Sequence, residues 1–210
     1  MPMLAQNGKK IKFEFPIDIQ PKYDGLRCLT IWQNDEIKLL SRGNKFYNVK
    51  HIENILSDML KEGEMLDGEL YIHGISLQTI NSWVKREQSD TLKIEYHIYD
   101  TPSDEPWYKR KNKLKSYKSN DIIKIVETTT VNSLSEIELF HNKFVEDGFE
   151  GAILRDNNSK YLFGKRSSGL LKWKNFEDKE FKIVGIESGT GKMSDCPIFV
   201  CKNDMNDKTF

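Results

Sequence analysis

The sequence predicts an α+β fold, and three observations predict it. Runs of strand length, alternating or continuous in apolar residues, recur along the chain and dominate its first half. Helical patterns sit between them at irregular intervals, without the strand–helix alternation of a doubly wound sheet. From Phe181 the texture changes to a strand pattern, a Gly/Ser/Thr/Lys loop over 188–194 and a further strand pattern around 198–202, the start of a second, small β domain. The expected domains are therefore 1–180 and 181–210.

In order, strands are expected at 12–15, 26–32, 36–41, 65–73, 93–100, 151–155 and 181–186. Ile52, Ile55, Leu56, Met59 and Leu60 mark one helical face that ends near Gly63, and Ile80, Trp83 and Val84 mark another. A third helix opens on a Ser135-x-x-Glu138 capping box, buries Ile137, Phe140, Phe144 and Val145, and stops near Gly148. The basic run KRKNKLKSYK at 109–118 has two readings, a solvated helix face or a contact to a nucleic-acid backbone.

The 210 residues suffice for a real core. Lys and Arg number 32, as do Asp and Glu, so charge balance excludes a global pull on DNA or membrane and any polyanion site is a local patch. Cys28, Cys196 and Cys201 lack CxxC spacing, and His51, His73, His97 and His141 are scattered. Structural zinc and disulfides are not expected; the cysteines read as small hydrophobes in a reducing cytosol. Nowhere do 18 apolar residues run together and the N-terminus carries no signal-type stretch, so a cytoplasmic protein with no membrane partner is expected.

Chemistry concentrates in a few stretches. PKYDGLRCL (21–29) places Lys22, Asp24, Gly25 and Arg27 within six positions. A lysine amine is nucleophilic only when deprotonated, in a pocket or beside positive charge. In LDGELYIHG (66–74), strand alternation puts Asp67, Glu69 and Tyr71 on one side and Gly68, Leu70 and Ile72 on the other, so the acids face a cleft or simply solvent. In IEYHIYD (94–100), Glu95, His97 and Tyr99 share a face, where an aromatic either stacks on a base or packs. EGAILRD (150–156) puts Glu150 after a helix end and Arg155 at the close of a short strand. LLKWKNFE (170–177) sets Lys172 and Lys174 on one face, suited to two oxygens of a phosphate or to solubility. A nucleophile, carboxylates for Mg²⁺ or a ribose, an aromatic platform and several cations fit phosphoryl or nucleotidyl transfer better than a His-centred hydrolase. The absence of GxxxxGK[ST] excludes a P-loop.

In this order KxDGxR, LDGELY, a Tyr-Asp strand end, EGxxxR and LLKxK resemble the covalent nucleotidyltransferases, and among them the compact viral or phage type of ATP-dependent DNA ligase, over roughly residues 15–186. The resemblance implies an ATP-grasp-like nucleotidyltransferase domain of antiparallel sheets with flanking helices, followed by a truncated OB-fold. It implies that Lys22 attacks the α-phosphorus of ATP and holds AMP, with Asp24 orienting lysine and metal, Gly25 permitting a tight turn, and Arg27 holding the nucleotide or the DNA 5′-phosphate. Arg42 would lie near the ribose and the nick, Glu69 would bind the ribose hydroxyl, Tyr99 would stack on adenine, and Glu150 would serve Mg²⁺. Lys172 and Lys174 would grip the α-phosphate, and Arg155 would be a phosphate contact or a structural strand-end residue. YLFGKRSSG (161–169) resembles a family loop, in which Lys165 and Arg166 would touch DNA phosphates or simply be solvated. Gln20 stands where the family often has a glutamate that reads the adenine amino group. The implied partner is nicked duplex DNA and the implied state a monomer. Residues 181–210 provide about two strands and the family's last basic motif is absent, so slow self-adenylation is expected. An RNA ligase, a capping-type guanylyltransferase, or a non-catalytic nucleotide- or DNA-binding fragment are the alternatives.

Overall fold

A computed structural model describes residues 1–174, 180–204, 206 and 208–210. The chain divides into two compact units, Met1–Lys174 and Asn175–Phe210. The boundary expected at 180/181 adjoins residues 175–179, which lie outside the described residues, as does the end of the LLKWKNFE stretch.

The first unit holds two sheets. One has the strand order β1 (Leu4–Asn7), β11 (Arg166–Trp173), β10 (Gly151–Arg155), β2 (Ile17–Lys22), β9 (Thr129–Val131). The other runs β5 (Phe46–Tyr47), β4 (Glu36–Ser41), β3 (Leu26–Gln33), β6 (Leu66–Tyr71), β7 (Glu95–Asp100), β8 (Ile123–Ile125). Pairing is antiparallel except for β1 with β11 and β7 with β8, both at sheet edges. Asn34 and Asp35, both at positive φ, close the β3–β4 hairpin in the mirror-image turn that matches strand twist.

Helices α1 (Lys50–Met59) and α2 (Leu77–Lys85) bury Ile52, Leu56, Ile80 and Val84 on the six-stranded sheet, together with Trp107 and Leu114 of α3 (Trp107–Leu114). Helix α4 (Leu134–Glu146) covers the five-stranded sheet with Ile137, Phe140 and Phe144 against Ile17, Ile19, Ala152 and Leu154. These are separate apolar cores. What joins the sheets includes a buried polar seam: Arg155 of β10 donates to Asp100 of β7 at 2.7 Å, Arg110 of α3 donates to the same carboxylate at 2.8 Å, and all three are almost fully buried.

Several expectations shift. The alternating run at 12–15 is not a strand; the strand is Ile17–Lys22, because Pro16 has no N–H to give a ladder. Pro21 is tolerated within it because β9 ends opposite Ile19, leaving that edge unpaired. The α4 cap is Ser133, whose hydroxyl accepts from Glu136 N, while the Glu136 carboxylate accepts from Asn132 N; Ser133 and Ser135 both precede a glutamate by three. Val145 is exposed rather than buried. The segment 166–169, read as loop, opens β11. In the basic run, Arg110 is buried and Lys111 pairs with buried Asp18, while Lys109 and Lys113 pair with Glu105 and Glu64. Much of its charge is therefore spent within the fold.

The second unit contains β12 (Ile183–Ser188) paired antiparallel with β13 (Pro197–Cys201). Among the described residues no helix is long and apolar enough to cross a membrane.

Candidate active site

Strand β2 ends at Lys22, and the chain turns through Tyr23, Asp24 and Gly25 into β3. Gly25 is required by close approach: a Cβ there would lie 2.5 Å from Leu70 O and 2.8 Å from Glu69 Cγ. Its neighbour strand β10 begins at Gly151, opposite Lys22, with Glu150 N donating to Lys22 O at 2.9 Å. Strand pairing thus sets Glu150 beside Lys22, and the carboxylate bridges the Lys22 and Lys174 ammonium groups, the latter at 3.0 Å. Burial raises the Glu150 pKa, but the hydrogen bonds and charges of the two lysines outweigh it and hold the carboxyl below its ordinary range.

These groups line a cavity of about 330 Å³ fed by both sheets of the first unit. Gln20, Lys22, Glu150, Arg155, Arg166, Lys172 and Lys174 enter from the five-stranded side; Arg27, Arg42, Glu69 and Tyr99 enter from the six-stranded side. Glu69 is pushed up to about 7, chiefly by burial, with Arg27 and the Tyr99 hydroxyl working against the rise. The Tyr99 hydroxyl lies 3.1 Å from Glu69 Oε2 and 3.0 Å from Gly68 O, and the guanidinium carbon of Arg27 lies 5.0 Å from the ring centroid. Arg27 is itself held by Asp67, at 2.6 and 2.5 Å, and by Met3 O at 3.2 Å.

The structure brings together most of the expected residues and sets two, Arg155 and Asp24, apart from their expected binding roles. Arg155 is 3% exposed and spent on Asp100 and on Gln20 Oε1, at 2.6 Å, so it is a buried brace and not a DNA contact. Gln20 has both amide functions engaged, its oxygen by Arg155 and its nitrogen by Thr128 Oγ1 at 2.9 Å. Because a guanidinium only donates, the atom facing Arg155 is the oxygen; one lone pair remains for a ligand. Asp24 is exposed and lies off the cavity lining, so neither its orienting nor its metal role is supported. Lys165 is exposed, as is Arg166, whose guanidinium donates to Ala5 O at 2.8 Å.

Sequence reasoning missed strand β1 and its supporting contacts: Met3 holds Arg27, Ala5 holds Arg166, and the Tyr161 hydroxyl donates to Asp67 at 2.5 Å. The apolar start Met1–Leu4 was the one available signal.

Among the described residues no group of three or more His, Cys, Asp or Glu side chains gathers to hold a metal. Mg²⁺ is commonly held by one or two carboxylates plus substrate phosphates. Glu150 alone therefore fits an ion that arrives with a polyphosphate, and no protein cage is present among those residues.

Two sheets enclosing a lysine-bearing, cation-lined cleft define a domain of the nucleotidyltransferase class. The family model for the ATP dependent DNA ligase domain matches residues 2–174. The chain is 25% identical over 238 residues to the DNA ligase of Enterobacteria phage T4, covering 86% of this chain and 49% of that one. It is 29% identical over 201 residues to the DNA ligase of African swine fever virus (strain Badajoz 1971 Vero-adapted), covering 88% and 48%. The Chlorella virus DNA ligase-adenylate superposes with a TM-score of 0.68 at 25% identity, over all of this chain and 80% of that one. The chain belongs to the ATP-dependent DNA ligase family. It spans about half the length of the curated relatives it matches.

Proposed function

We propose that this chain seals nicks in duplex DNA through a lysyl-AMP intermediate on Lys22, using ATP. The observation that carries the reading is the cavity's charge. Lys22, Arg42, Arg166, Lys172 and Lys174 face two carboxylates, Glu69 and Glu150, while the lining's Arg27 and Arg155 are paired with Asp67 and Asp100, in a chain whose net charge is zero. Such a lining suits a triphosphate better than a neutral substrate.

In the first step the Lys22 ammonium, paired with Glu150, gives a proton to solvent and its amine attacks the α-phosphorus in line. An N–P bond forms, the bond from phosphorus to the bridging oxygen breaks, and pyrophosphate leaves with the electron pair. The second amine proton departs to solvent. Lys172 and Lys174 stand on β11 and just past it, where their charge stabilises the oxygens of the reacting phosphate. Glu150 would hold a Mg²⁺, which would supply further neutralisation of that phosphate when bound. Glu69, Tyr99 and Gln20 would hold the nucleoside. In the later steps a nick's 5′-phosphate displaces the lysine and takes AMP, and the 3′-hydroxyl then displaces AMP. Both are in-line displacements in which positioning dominates. Arg42, Lys165 and Arg166 at the exposed rim would meet DNA phosphates. The family relationship supports ATP and nicked DNA as ligands. We further propose that the protein acts as a monomer in the cytoplasm and that β12 and β13 belong to an incomplete OB-type domain.

Incubation with Mg²⁺ and α-labelled ATP tests the reading: label appears on Lys22 in the wild type and not in Lys22→Ala, and nicked duplex is then sealed. Label from GTP alone would favour capping chemistry. If neither ATP labelling nor sealing of pre-adenylated nick occurs, the chain is not a ligase.

A further inference from the structure

Tyr23 follows Lys22 and Phe149 precedes Glu150. Their rings meet edge to face, with centroids 5.2 Å apart and planes at 76°. Tyr23 also packs against Tyr71 and His97 of the six-stranded sheet, at 5.0 and 4.8 Å. Phe149 packs against His73 at 5.3 Å and, at the end of α4, against Phe144 at 6.2 Å. Phe149 N donates to Phe144 O at 2.8 Å, so the residue before Glu150 is tied to the helix as well. The segments bearing the two reacting groups are thus fastened to each other and to the sheet that carries Glu69 and Tyr99. Tyr23 is among the residues lining the cavity whereas Phe149 is not, so Phe149→Leu tests the contact without altering the lining. No hydrogen bond engages the Tyr23 hydroxyl among the described residues, so the ring is what the position uses.

We propose that Tyr23 and Phe149 form a positioning clasp, whose edge-to-face contact sets the Lys22 amine against the Glu150 carboxylate and fixes both relative to the nucleoside-binding sheet. An aromatic pair contributes about 0.5–1.5 kcal/mol beyond its burial. That is small against a domain's stability, whereas a misplacement of about 1 Å in a reacting pair costs up to about 100-fold in rate. The clasp should therefore act on the chemistry more than on the fold. Its kinetic consequence rests on the lysyl-AMP reading; its geometric consequence does not.

The variants are Tyr23→Leu, Phe149→Leu and the ring-retaining Tyr23→Phe, with circular dichroism reporting folding and either leucine variant sufficing if the other does not fold. In single-turnover labelling at saturating ATP, the leucine variants should load Lys22 roughly 10- to 100-fold more slowly, with KM for ATP little changed. Tyr23→Phe should recover the rate. A second measurement needs no nucleotide: acetylation of Lys22 by an N-hydroxysuccinimide ester, read by peptide mass spectrometry. Freed from Glu150, the amine should acetylate about 3- to 5-fold faster in the leucine variants, the worth of a partly exposed ion pair. Wild-type acetylation rates in folded leucine variants overturn the clasp whatever the labelling shows, as do wild-type loading rates. An unlabelled wild type combined with clasp-dependent acetylation overturns the lysyl-AMP reading and leaves the clasp standing.

Discussion

Replacing Asp100 by alanine should cost more than replacing Arg155, although both belong to one ion-pair network. Asp100 is fully buried and accepts from Arg110 Nε at 2.8 Å, Arg110 Nη2 at 3.3 Å and Arg155 Nη1 at 2.7 Å. Its removal strands two guanidinium groups that are 1% and 3% exposed. Breaking a buried pair in this way costs about 3–5 kcal/mol, a large share of the roughly 5–15 kcal/mol that holds a domain. Arg155→Met leaves Asp100 with both Arg110 bonds; it removes one donor from Asp100 and one from Gln20 Oε1. Two lost bonds with no stranded charge cost about 1–3 kcal/mol. Equilibrium urea unfolding followed by far-UV circular dichroism, with unchanged slope required, measures both. Expected is a gap of about 2 kcal/mol in favour of Arg155→Met. Equal losses, or a larger loss at Arg155, would refute the assignment of Asp100 as the centre of the seam.

The remaining expectations concern the cavity. Glu69 moves from an ordinary 4.5 up to about 7, so across that window the folded chain keeps a proton that the unfolded chain has released. Stability should therefore fall as pH rises from about 4.5 through 7, by up to about 3 kcal/mol, and Glu69→Gln should remove that slope in urea titrations run at several pH values. Gly25→Ala forces a Cβ onto Leu70 O and should cost about 1–3 kcal/mol, with the thermal midpoint and the rate of Lys22 labelling falling together. Lys172 lines the cavity and makes no ion pair among the described residues. Lys172→Met should leave the midpoint nearly unchanged while weakening ATP binding about tenfold or more by calorimetry; unchanged affinity would remove it from the phosphate site.

Local chemistry was the legible part of the sequence. Glu69 and Tyr99 reach the cavity because each lies at the strand position its alternation implies, and Lys22 and Glu150 meet because two strand ends pair in register. Spacing alone could not distinguish a cation aimed at a ligand from one aimed at a carboxylate. Arg110 reads as available charge and Arg155 as either a phosphate contact or a structural strand-end residue, and both are consumed by Asp100, which the sequence marks only as the end of a strand. Pro16 similarly overrode an alternating run, since periodicity does not count ladder donors.

The same distinction explains why the way the cleft's two walls face each other was not legible in the sequence. Its walls belong to two sheets whose apolar cores are separate, so hydrophobic pattern specifies each sheet and says little about how one faces the other. Beside the aromatic contacts of Tyr23 and Phe149, that relation is carried by long-range polar pairs: Arg155 to Asp100 across 55 residues, Tyr161 to Asp67 across 94, and Trp107 to Asp18 across 89. Buried charge is a costly way to join two layers but a directional one. Apolar packing tolerates sliding, whereas a guanidinium that must meet one carboxylate fixes both separation and register. A nucleophile on one sheet and nucleoside contacts on the other need that fixity. The polar seam accordingly does for the two sheets as wholes what the Tyr23–Phe149 contact does for Lys22 and Glu150.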